Sequence, residues 1–150
     1  MRRFITAILA IAALTVPVVA VATAGAAGKK HIHFTTTASG ALISGTQAVY
    51  KVHDTLFGNG ASVQTTKSNA AGTGGTDSET TYYAHGSARS KGIYKLSAPD
   101  ANGIIKITGT GHDVGGTGAA AGLKSSYTFS GTLNTKTLLL KIVLKGTYTR

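Results

Sequence analysis

Residues 137–149 alternate strictly: Leu138, Leu140, Ile142, Leu144, Gly146 and Tyr148 fall on one side, Lys141, Lys145, Thr147 and Thr149 on the other. A period of two is the signature of a strand with one buried face. Each large aliphatic side chain on that face contributes roughly 1.5–3 kcal/mol when buried. A slip of one residue would drive Lys141 and Lys145 inward, so the strand specifies its own register. The same reading predicts strands over 123–130, with Leu123, Ser125, Tyr127 and Phe129 on one face, and over 88–97, with Gly92, Tyr94 and Leu96 opposing Arg89, Lys91 and Lys95. Further strands are predicted over 104–109, 78–85, 61–68, 47–56 and 31–38, eight in all. Pro99-Asp100-Ala101-Asn102-Gly103 is turn chemistry, because Asn-Gly readily takes positive φ. Residues 69–77 read as a polar loop, and Ala119-Ala120-Ala121, enclosed by Gly118 and Gly122, as loop and not helix.

Seven of the 27 residues between Ile105 and Gly131 are glycine, which no helix would tolerate and which lets backbones or rings approach closely. The predicted fold class is all-β. Eight antiparallel strands suit one closed up-and-down barrel, which leaves no edge exposed; a β-sandwich is the alternative.

Ahead of this region the pattern changes. Arg2 and Arg3 precede an apolar run from Phe4 to Val21, and Ala22-Thr23-Ala24 supplies small residues where a signal peptidase would cut. The expectation is a signal peptide over residues 1–24, with the cut between 24 and 28, and one barrel domain over 29–150, exported from a bacterial-type cell. An uncleaved anchor is the alternative, disfavoured by Pro17. With no cysteine in the chain, neither a lipid anchor nor disulfides are available, so stability must come from burial and sheet closure.

The formal charge is +10, or +8 once Arg2 and Arg3 leave with the leader. Such a balance suits solubility, or an anionic cell-wall polymer as partner. Basic residues are spread along the strands with no dense cluster beyond Lys29-Lys30, which argues against a nucleic-acid reader.

Two motifs then stand out. Asp113-Val114-Gly115-Gly116-Thr117-Gly118, followed by Gly122 and a strand, resembles the Gly-Gly-Thr-Gly corner of dirigent proteins and of allene oxide cyclase-like barrels. Tyr50-Lys51-Val52-His53-Asp54-Thr55-Leu56-Phe57-Gly58 resembles the N-terminal dirigent pattern of an aromatic strand running into His-Asp-x-Leu. The resemblance implies a calycin-like barrel around an apolar cavity, and gives Asp54 as the counterpart of an aspartate that assists cyclisation of a phenolic intermediate. A homo-oligomer is compatible with it.

Asp54 also shares a strand face with Tyr50 and Val52, so it could point into the barrel as a desolvated general acid. Equally, it could cap the turn that follows it. His53 faces the other way, so the two do not form an automatic catalytic pair. Tyr50, Tyr82, Tyr94, Tyr127 and Phe129 are the candidates to line a cavity for a small apolar or aromatic molecule, or simply to fill the core. His31 and His33 share one strand face, a spacing compatible with a metal or with a solvated pair, and no cysteine or clustered acid completes a ligand set. No Gly-x-Ser-x-Gly elbow or phosphate loop occurs, so the sequence predicts no cofactor. The expected function is ligand binding, with a dirigent- or cyclase-like isomerase and a basic adhesion module as alternatives.

Overall fold

The computed structural model describes residues 30–149; the predicted signal peptide lies outside them. Eight strands run β1 (His31–Leu42), β2 (Gln47–Asp54), β3 (Gly58–Ser68), β4 (Gly74–Tyr83), β5 (Gly86–Leu96), β6 (Ile104–Gly118), β7 (Lys124–Asn134) and β8 (Leu139–Thr149). Each pairs antiparallel with its sequence neighbours, and β1 also pairs with β8, so the sheet closes into an up-and-down barrel. The sandwich alternative is thereby excluded.

Through β8 the alternation holds, with Leu140 and Tyr148 buried and Lys141 and Lys145 exposed, but the strand starts at Leu139, and Leu138, expected on the inner face, is exposed ahead of it. Phe34, Thr36 and Ala38 of β1 and Ala48, Tyr50, Val52 and Asp54 of β2 also turn inward. Every described lysine, arginine and histidine is exposed. Lysines at 51, 91, 95, 106, 141 and 145 occupy outward strand positions, unlike the apolar band of a lipid-facing barrel.

Two expectations need correction. The strand predicted over 104–109 does not end at Gly109: β6 runs on through the glycine-rich stretch to Gly118, and the connection is the short 119–123 turn. Its glycines make room. Gly109 and Gly111 pair with Phe129 and Tyr127 of β7, whose rings lie across the bare glycine positions; a Cβ on Gly111 would stand 2.5 Å from the Tyr127 hydroxyl. The predicted loop over 69–77 is likewise shorter, because β4 begins at Gly74. Asn69 turns the chain by accepting the Thr73 amide on its side chain at 3.0 Å.

One end of the barrel is closed by aromatic rings. Phe34 stacks on Tyr148 with centroids 4.1 Å apart, and Phe57, from the β2–β3 connection, meets Tyr83 at 5.1 Å and Tyr148 at 5.4 Å. The aliphatic side chains of Leu42, Leu96, Leu133 and Leu140 gather toward the other end.

Candidate functional site

The interior is not filled. A cavity of about 180 Å³ extends from Phe34 and Tyr148 to Leu42, Gly45, Ser68 and Leu96. Its walls differ in chemistry. The β7–β8–β1–β2 side presents Phe129, Leu140, Ile142, Ala38 and Val52, whereas β3–β6 present Gln64, Asp77, Glu79, Ser90 and Asp113. No residue lining the cavity is a lysine, arginine or histidine.

The chain has five carboxylates. Asp77, Glu79 and Asp113 line the cavity, Asp54 is buried within the barrel, and Asp100 sits exposed in the β5–β6 turn. The placement follows from β4. With Tyr83 and Thr81 inward, alternation carries Glu79 and Asp77 inward with them. Register then aligns Glu79 with Ser90 on β5, and Ser90 with Asp113 on β6. The two carboxylates therefore flank Ser90 from strands two apart, about 10 Å along the hydrogen-bonding direction. A β-bulge between Arg89 and Ser90 interrupts the pairing here. Such irregularities re-aim side chains, and Val114 stands outward beyond it.

Asp77 is 7% exposed. Its Oδ2 accepts a long hydrogen bond from the Gln64 amide at 3.4 Å, and the Gln64 carbonyl accepts the Tyr50 hydroxyl at 2.8 Å. Its Oδ1 has no partner among the described residues. That oxygen lies over the inner side of Gly92, where a Cβ would come within 2.7 Å of it. Burial pushes the carboxyls of Asp77, Glu79 and Asp113 above the ordinary carboxylate range, and the Gln64 bond returns Asp77 part of the way. It also raises the phenols of Tyr50, Tyr83, Tyr127 and Tyr148, which stay neutral near pH 7.

The candidates from the sequence divide. Tyr50, Tyr94, Tyr127 and Phe129 line the cavity. Tyr82 does not: it is 57% exposed on the outer face, and Tyr83 takes the inward place. Asp54 is only 1% exposed, yet it is not part of the cavity lining. Its Oδ1 accepts the amides of Leu56 at 2.7 Å and Phe57 at 3.1 Å, and its Oδ2 accepts the Thr36 hydroxyl. That is a turn cap, with both oxygens occupied. His53 points out and bonds Asn59 at 2.8 Å. His31 and His33 stand on the outer face of β1 beside Thr149 and Thr147. Among the described residues no group of three His, Cys, Asp or Glu could hold a metal ion.

Fold and site together define a small closed barrel with an acid-bearing cavity. Comparison with protein-family models, curated proteins and solved structures found no match to this chain.

Proposed function

We propose that this protein binds a small molecule inside its barrel. The supporting observation is the cavity of about 180 Å³, mainly apolar in its lining with a strip of polar and acidic side chains from β3–β6. Drug-sized ligands occupy pockets of about 300–1,000 Å³, whereas an engineered cavity of about 150 Å³ takes up benzene. The occupant is therefore one ring or a short chain. An isomerase working through Asp54 draws little support, because both oxygens of that carboxylate are engaged in holding the β2–β3 turn.

Thermal unfolding of the mature protein with graded 2-phenylethanol and 2-phenylethylamine tests the reading. A guest at 100 times its Kd stabilises by about 2.7 kcal/mol. Ala38→Leu, which places a larger side chain in the cavity wall, should remove the effect of both compounds while leaving the barrel folded. No stabilisation by either compound contradicts the proposal.

The outer face favours a second reading. All described lysines and arginines are exposed, and the exposed acid opposing them is Asp100. Such a surface suits weak adhesion to an anionic wall polymer, and binding of that kind fades as added salt screens it.

A further inference from the structure

We propose that the occupant of the barrel is an organic cation: an ammonium group joined to an apolar body no larger than one aromatic ring with a short tail. The inference rests on the ligand-binding reading above and adds the charge of the ligand to it.

Four observations meet in the cavity. Asp77, Glu79 and Asp113 line it with no lysine, arginine or histidine beside them. Every described basic side chain is exposed; His112 works against the burial of its neighbour Asp113, but no described basic group does so for Asp77 or Glu79. A buried carboxylate without a counter-charge is costly, and such groups are ordinarily paired or coordinate a metal. A metal is not the answer offered by this arrangement, because no three such side chains converge closely enough among the described residues. Asp77 supplies the independent sign of a missing partner. The residue lines the cavity and is buried, its Oδ1 lies against Gly92, and that oxygen lacks any donor among the described residues.

The shape of the lining supplies the rest. An N–H donor placed on the β4 side would meet the Asp77 carboxylate and lie toward Glu79, two residues along the same strand. The neutral phenols of Tyr50 and Tyr127 border the same space, and their ring faces attract cations. The apolar body would then rest on Phe129, Ile142 and Leu140 of the opposite wall. An anionic guest would meet like charge, and a neutral one would leave the carboxylates unpaired.

The test compares 2-phenylethylammonium, 2-phenylethanol and 3-phenylpropionate, near-matched in size, by calorimetric titration at pH 7. The ammonium should bind at least tenfold more tightly than the alcohol, and the carboxylate more weakly than either. Asp77→Asn and Glu79→Gln should each weaken the ammonium at least tenfold and leave the alcohol unchanged or tighter. Ammonium affinity of the unaltered protein should fall on acidification, because protonating these carboxyls removes the charge it needs. Equal binding of alcohol and ammonium overturns the cation proposal while the cavity reading stands. Failure of all three compounds overturns both. If the variants do not fold, the pH series decides: an ammonium affinity that holds steady as the pH falls to 4 contradicts the proposal.

Discussion

Asp77 and Gly92 oppose each other across the β4–β5 pair, and the absent side chain of the glycine is the space in which Asp77 Oδ1 lies. The carboxylate is thus accommodated by shape but left, among the described residues, without a donor on that oxygen. Ala or Ser at 92 would displace it.

Asp77→Asn should raise the stability of the ligand-free protein at neutral pH. Asp77, Glu79 and Asp113 have folded-state pKa values raised by burial above those of the unfolded chain. Groups of this kind bind protons more tightly when folded. Their stabilisation is complete below the unfolded value, about 4, and is lost as pH rises through the folded value. Tm should therefore climb as pH falls from 8 toward 5, and the variant should flatten that slope. A gain of ~1 kcal/mol corresponds to roughly 2–8 °C in a domain of this size. Calorimetry across pH checks both statements.

Gly111→Ala should cost about 1–3 kcal/mol through overpacking against the Tyr127 ring. Gly45→Ala is the matched control, since its Cβ would meet nothing within 4 Å. Denaturant midpoints that shift equally for both would contradict the ring-over-glycine packing.

Leu140 and Leu139 are adjacent but opposite, at 6% and 55% exposure. Leu140→Ala should cost roughly 2–5 kcal/mol and Leu139→Ala within about 0.5 kcal/mol. The pair reads the register of β8 directly from unfolding curves.

Asp54→Ala should destabilise by about 1–3 kcal/mol, as the Leu56 and Phe57 amides lose their acceptor. Asp54→Asn keeps an oxygen for that cap and should bind 2-phenylethylammonium as the unaltered protein does. A variant with preserved Tm but lost ligand binding would return Asp54 to the site.

How far the barrel was legible in the sequence depended on whether a strand has an unambiguous face. In β8 lysines alternate with leucine and isoleucine, and in β7 Tyr127 and Phe129 alternate with Ser126 and Thr128, so one register alone is sensible. In β4 both choices have a tyrosine, Tyr82 or Tyr83. Keeping charge in water selects Tyr82, and the structure has the reverse, with Asp77 and Glu79 following Tyr83 inward. The general rule failed where the candidate site lies. A usable signal was present: Asp77 and Glu79 share a strand face with Tyr83 but with no lysine or arginine. β6 was cut short for a different reason. Glycines in the 109–118 stretch carry no face of their own, and only the partner rings on β7 show why they belong to a strand.

Side-chain carboxyl carbons report protonation one residue at a time, so a pH titration by NMR of the isotopically labelled, ligand-free protein reaches the central claim most directly. Asp77, Glu79 and Asp113 should titrate above the ordinary carboxylate range. If all three titrate together near 4, the carboxylates face water, and the acid-lined cavity does not exist.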